Sequence, residues 1–349
     1  MGLAKTLDDL GRRAAFGLLT RMVKVLPATR SDLQDASIQK ILVVRQDDRI
    51  GNLLFVTSLL AGLKRTFSGA SIDVVISSRF REVLAHNPAV NRIITVDRRR
   101  FRTDPFHLVD GIRELRVSSY DLVIDCKRGA SLSSTIVVLL AHTTHRIGFE
   151  HEYSRAMYHH TIPIQPVEAR HESERLYSLL AEIWEAPACP SMEFHFPKDR
   201  GPGPPDDIIR IHIGGRGKKR IPFNMLVSLI GEIRKVDYNL ELLAGPEERS
   251  TAQGLKSRIP KLRVLYPRDI VDLARKIAES RVLITPDTGA LHIASALNVP
   301  TINLFPDSVS PVFGPQSRTS TVIDFDQPGA VAKTMTFVKS VFASKRSES

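Results

Sequence analysis

Cysteine is nearly absent. Cys126 and Cys189 are the only two in 349 residues, too few for a disulfide framework or a cysteine-based zinc site. No apolar run approaches the roughly 18–20 residues that a membrane-spanning helix needs. No secretory leader is expected: Asp8 and Asp9 come early, and the short run Ala14–Leu19 ends on Thr20-Arg21 instead of small residues. A cytosolic chain with reduced thiols is expected. His159, His160 and His171 have no metal-ligand spacing with any Cys, Asp or Glu, so no metal site is expected. No Ser-His-Asp triad or nucleophile elbow can be read. The basic run Arg98–Arg102 lacks the interleaved aromatics of a single-strand nucleic-acid platform, and no helix-turn-helix signature occurs. Nucleic acid is therefore not expected as a partner.

What is there is an ordinary globular composition, 42% hydrophobic and 25% charged, enough to bury two cores at the usual 100–200 residues per domain. Lys and Arg outnumber Asp and Glu by 49 to 38, a net charge of +11. That balance points to an anionic partner such as a phosphorylated small molecule or a membrane surface.

Residues 3–26 read as one helix. Leu3, Leu7, Leu10, Ala14, Leu18, Met22 and Val25 form its apolar stripe, five cations lie beside it, and Pro27 stops it. Such a helix can lie on an anionic membrane surface or pack on the domain that follows. Beyond a linker at 28–37, strands and helices alternate. Strands are predicted at Ile41–Val44, Ser71–Ser77, Arg92–Val96 and Asp121–Asp125, with helices at Asn52–Thr66, Phe80–His86, Val109–Val117 and Ser131–Ala141. The stretch 197–206, rich in Pro and Gly, suggests a boundary. The rhythm then restarts with strands at Ile208–Ile213, Asn239–Leu243, Arg263–Leu265, Arg281–Thr285 and Thr301–Phe305, separated by helices and followed by a last one at Ala330–Ala343. This is the pattern of an α/β chain with two Rossmann-like, doubly wound parallel sheets. The expected divisions are 1–37, 38–200, 206–328 and a C-terminal segment 329–349.

Four turns could carry chemistry. At Ile284–Ala294 a strand ends in Thr285-Pro286-Asp287-Thr288, and Gly289 opens a helix containing His292. Ligands of open α/β sheets bind beyond strand carboxyl ends, and amides 288–291 at a helix N-terminus suit a phosphate. The competing reading is an Asp cap on a buried helix with a structural histidine. At His212–Pro222, Gly214, Gly215, Arg216, Lys218, Lys219 and Arg220 form a glycine-rich, cationic turn that matches neither the Walker A nor the dinucleotide fingerprint. It could neutralise a pyrophosphate or be a solvated basic loop. At Arg45–Asn52, Asp47 and Asp48 could serve as a general base, or as helix caps and a surface ion pair. Glu247 and Glu248, after the strand 239–243, could accept hydrogen bonds from a ribose diol or simply favour a helix start.

Together these segments resemble glycosyltransferase family 9, the ADP-heptose:lipopolysaccharide heptosyltransferases, from about Lys40 to about Ile323. The resemblance is carried by Ile41–Gly51, Tyr120–Asp125, Arg146-Ile147-Gly148-Phe149, Asp287-Thr288-Gly289, His292, Pro300, Leu304-Phe305 and Gly314-Pro315. It implies a GT-B fold with a cleft between two Rossmann-like domains and a C-terminal helix crossing back. It also implies inverting, metal-independent transfer from a nucleotide-diphosphate sugar to a lipopolysaccharide core or related lipid-linked glycan at the inner membrane face, with no cofactor. Donor contacts implied are Lys219, Glu247 or Glu248, Asp287, Thr288 and Gly289, and the reading of the turns adds Gly214, Gly215, Arg216 and His292. Ile221, where the family commonly has Trp, and Gly214-Gly215, where it often has hydroxyl residues, depart from its pattern. Acceptor candidates are Arg49, Gly51, Arg99 and Arg100. One departure is chemical: the family's catalytic aspartate follows the turn glycine, and here that residue is Asn52. An amide takes no proton from a hydroxyl at neutral pH, so Asp48 or Asp47 stands in, or the chain binds without turnover. A nicotinamide-dependent oxidoreductase is the remaining alternative, and the missing Gly-x-Gly-x-x-Gly opposes it.

Overall fold

The computed structural model describes residues 14, 16–19, 21, 25–97, 105–165, 170–306 and 311–346. The chain forms two compact units, Met1–Pro190 and Ser191–Ser349. The division therefore falls before the Pro/Gly-rich stretch, so residues 191–200 belong to the second unit. Most of the predicted N-terminal helix, and both Arg99 and Arg100, lie outside the described residues.

The first unit holds six parallel strands: β1 (Lys40–Val44), β2 (Ser71–Ile76), β3 (Arg92–Thr95), β4 (Ser119–Asp125), β5 (His142–Phe149) and β6 (His160–Ile162), in the order β3-β2-β1-β4-β5-β6. Ile41 to Val44 are buried throughout, as a central strand covered on both faces requires. β5 escapes the sequence pattern because its first half, His142-Thr143-Thr144-His145-Arg146, is polar and partly exposed. The helices Ile50–Thr66 and Glu172–Trp184 pack against each other. Gly62 allows the approach, since a Cβ there would overlap the Tyr177 ring. Phe16, the buried residue of the N-terminal segment, stacks on Tyr153 with ring centroids 4.6 Å apart.

The second unit repeats the plan with β7 (Ile208–His212), β8 (Asn239–Leu243), β9 (Arg263–Leu265), β10 (Val282–Thr285), β11 (Thr301–Phe305) and β12 (Ser320–Asp324), ordered β12-β11-β10-β7-β8-β9. Its Ile- and Leu-rich core includes Ala330, Met335, Val338 and Val341 of the last helix, Ala330–Arg346. The buried face of this helix joins the core of the second unit, with Phe342 stacked on Tyr238 at 4.3 Å, and its apolar residues cover β12 and the helix Phe223–Lys235.

Both sheets reverse their strand order at one point, between β1 and β4 and between β7 and β10. The crevice at the carboxyl ends beside such a point is where ligands of this topology bind. Among the described residues no helix is long and apolar enough to cross a membrane.

Candidate functional site

In the second unit the two turns singled out from sequence leave β7 and β10, the strands flanking the reversal. Extension of their register sets His212 beside Thr285. His212 Nδ1 lies 3.3 Å from Thr285 Oγ1 and 3.3 Å from Thr288 Oγ1. Burial pushes this imidazole down to about 4, so it is neutral at physiological pH. A Cβ on Gly214 would come within 2.5 Å of its ring, so a larger residue there would displace the imidazole. Gly215 and Gly217 have φ of 151° and 55°, values that suit glycine. The loop they bend carries Lys219, whose ammonium pairs with the Asp287 carboxylate and lies 5.7 Å from the Phe305 ring centroid. Arg216 pairs with Glu247 at 3.2 Å, both exposed.

Asp287 does not cap the helix Gly289–Ala296. Thr288 holds the N-cap position, and its side chain makes no capping bond. Of the amides expected to be open, that of Leu291 is taken by the Thr288 carbonyl at 3.1 Å, because the first turn tightens to an i→i+3 bond. Gly289 and Ala290 remain as the helix-end amides without a side-chain cap, beside an exposed lysine. Glu248 turns inward and accepts the Gly245 amide at 3.1 Å, leaving Glu247 as the exposed acid of the pair. His292 is buried in the helix.

In the first unit the turn after β1 leads to the helix Ile50–Thr66, whose N-cap Arg49 gives no side-chain bond. Gly51 is buried, Asn52 half-buried, and Asp48 and Arg49 exposed. Asp47 is held by Arg45 Nε at 3.3 Å and Lys127 Nζ at 3.6 Å. Arg45 also donates to the Cys126 carbonyl and pairs with buried Glu172 at 3.6 Å. Glu172 further meets Arg128 at 3.3 Å and Arg175 at 3.7 Å. The alternating charges close into a ring through the Lys127–Arg128 peptide bond. Asp125 beneath it accepts from Ser134, Tyr158 and the Lys127 amide at 2.7, 2.8 and 2.9 Å. Burial raises its carboxyl pKa despite those bonds, and pushes the neighbouring Cys126 thiol up to about 12.

Sequence reasoning missed Glu172, Lys127, Arg128 and the role of His212. The first three come together only because β4 lies next to β1. His212 was legible as the strand's last residue before Gly-Gly. Among the described residues no group of three or more His, Cys, Asp or Glu could hold a metal ion.

Two six-stranded doubly wound parallel sheets, each reversing its strand order once, define the GT-B fold. The sequence profile described as glycosyltransferase family 9 (heptosyltransferase) matches residues 110–336; the chain belongs to this family and is a glycosyltransferase. It is 25% identical over 317 residues to Lipopolysaccharide heptosyltransferase 1 of Pseudomonas aeruginosa, covering 85% of this chain and 88% of that one. Lipopolysaccharide heptosyltransferase 1 of Escherichia coli K12 is 25% identical over 285 residues, 76% of this chain and 87% of that one. In structure it is similar to E. coli heptosyltransferase WaaC with ADP, with a TM-score of 0.71 at 21% identity, covering 87% of this chain and all of that one. It is similar also to the family 9 glycosyl transferase of Veillonella parvula, with a TM-score of 0.73 at 19% identity, covering 85% and 89%.

Proposed function

We propose that the chain transfers heptose from ADP-heptose to a lipopolysaccharide core or related lipid-linked glycan, with inversion and without a metal ion or cofactor. The observation that carries this reading is the helix end at Gly289, left without a side-chain cap and set beside Lys219 and Asp287 at the reversal point of the second sheet. Lys219, Arg216 and the amides of Gly289 and Ala290 receive the donor diphosphate, with Gly214 and Gly215 letting the backbone approach. Asp287 meets a sugar hydroxyl and Glu247 the ribose. On the acceptor side Asp48 or Asp47 takes the proton of the attacking hydroxyl, a step worth about 10²–10⁴-fold. The hydroxyl oxygen displaces the diphosphate from the opposite face of the anomeric carbon, and the cations and amides stabilise the leaving charge. That relatives are named lipopolysaccharide heptosyltransferases supports this donor and acceptor.

A second reading is favoured by Asn52 together with the ion-paired state of Asp47: a member that binds nucleotide sugar or glycan without turnover. A screen of nucleotide sugars by thermal shift, with mass spectrometry of products, separates the two. A raised Tm with ADP-heptose and a heptosylated product support transfer. A raised Tm without product supports the binder, and no shift with any nucleotide sugar overturns both.

The proposed location is cytoplasmic, at the inner membrane face, with the N-terminal helix against anionic lipid. Leu18 and Leu26 are exposed while Phe16 is packed inward, and exposed apolar side chains in that segment support the reading. Deleting residues 1–30 should abolish salt-sensitive co-sedimentation with anionic liposomes. Unchanged binding, or an unfolded protein, would make the segment purely structural.

A further inference from the structure

Thr288 is among the residue types that cap a helix well, and its extended backbone, φ −142° and ψ 178°, suits the role. Its hydroxyl nevertheless makes no cap and is turned toward His212 Nδ1 at 3.3 Å and Thr285 Oγ1 at 3.4 Å. We propose that His212 is a positioning residue that holds the Thr288 hydroxyl away from its own helix, so that the amide of Ala290, the one a Thr288 cap would take now that Leu291 is engaged, stays open beside that of Gly289 to an anionic ligand. This rests on the donor reading above, where the ligand is the diphosphate of the sugar nucleotide.

Thr285 donates its hydroxyl to the Pro286 carbonyl at 3.0 Å, so its oxygen is left to accept, from the Thr288 hydroxyl at 3.4 Å and from Nδ1–H at 3.3 Å. The Thr288 oxygen lies 3.3 Å from the same Nδ1, so both contacts draw that hydroxyl away from its helix. Gly214 lies against the ring and fixes it in place, since any Cβ there would displace it. Thr288 thus faces a choice between two partners, its helix and the imidazole, and His212 decides it.

The test is ADP binding by calorimetry, with Tm measured on the same full-length variants. His212→Leu should weaken ADP binding at least about fivefold, the scale of one competing cap bond, with Tm kept or raised because Thr288 swings back to cap. A histidine that only supports the core predicts a lowered Tm instead. His212→Asn sets an amide nitrogen near the Nδ1 position and should bind ADP within about twofold of the parent. In a Thr288→Val background, where no hydroxyl can cap, His212→Leu should alter ADP affinity by less than about twofold. If His212→Leu does not fold, Gly214→Ala, which pushes the same ring, replaces it. The proposal is overturned if His212→Leu binds ADP as the parent does, if Asn is as weak as Leu, or if the Val background leaves the loss intact. Should the parent itself bind no ADP, the donor reading fails and takes this role with it. Normal parental binding with indifferent variants removes the role of His212 alone.

Discussion

The two units share one topology and furnish it in opposite ways. At the reversal point of the second sheet, Lys219 and Arg216 keep 48% and 81% of their side chains exposed, each engaged with one carboxylate, above a helix end left without a side-chain cap. At the same point of the first sheet, Arg45 and Glu172 are 6% and 1% exposed and locked in a ring with Asp47, Lys127 and Arg128. The first arrangement is exposed, so an anion can compete for its two cations. The second buries Arg45 and Glu172, and buried ions hold to their partners; Asp48 beside them is exposed. Topology locates a site; the pairing of its charges decides what it can receive.

The largest expected effect breaks the ring. Glu172→Ala leaves three guanidinium groups without their shared carboxylate and should lower the unfolding free energy by about 3–5 kcal/mol, read from urea denaturation. A loss under about 1 kcal/mol would mean the ring carries no structural weight. Next, Asp48→Ala and Asp47→Ala, assayed separately, should include one fall of at least about a hundredfold in turnover with donor binding kept. Two active variants eliminate both as base. Asn52→Asp should then raise turnover if the native chain is an impaired transferase.

In the second unit, Lys219→Ala should weaken ADP about tenfold, the scale of one charge-assisted contact, with little change in Tm. Asp287→Asn should reduce transfer far more than Tm. An unchanged ADP affinity would demote Lys219 to a surface charge.

The smallest effect is shared by both units. His212 and, in the first unit, His159 are each pushed down to about 4 from 6.5, by burial first and, for His159, by the Arg146 and His145 charges as well. Between those values the unfolded chain holds more protons than the native one. The stability each contributes is therefore complete above about pH 6.5 and is lost as pH falls toward 4. Urea midpoints from pH 7.5 to 4.5, compared between the parent and the His212→Asn and His159→Asn variants, isolate each histidine from the carboxylates that titrate nearby. Parallel curves would show that neither imidazole is held neutral by the fold.

Much of the second unit was legible because its strands are short apolar runs bounded by turn residues. Asn239–Leu243, Arg263–Leu265 and Thr301–Phe305 have the same limits in sequence and structure. The region 142–184 was not, since β5 opens with polar residues and its partner β6 is three residues long. The site was legible to the same degree. The Lys219 and Asp287 turns lie at adjacent strand ends, as the motif pattern implied, while the division of labour between Glu247 and Glu248 needed the inward turn of Glu248 onto Gly245.

By itself the sequence determined the alternation of strand and helix, the two-unit plan, the glycines of the cationic turn and the family, because each is written in local residue order and spacing. Only the tertiary structure decided which carboxylates are already engaged. Glu172 follows Arg45 by more than a hundred residues, yet strand order brings β1 and β4 side by side, and the helix beginning at Glu172 packs on Ile50–Thr66, which follows β1, so that Glu172 meets Arg45. Whether Thr288 caps its helix or serves a ligand was likewise unreadable from its motif, since the answer lies with His212 on a different strand. A hydroxyl between two partners of similar strength is directed by whichever one the fold holds in place.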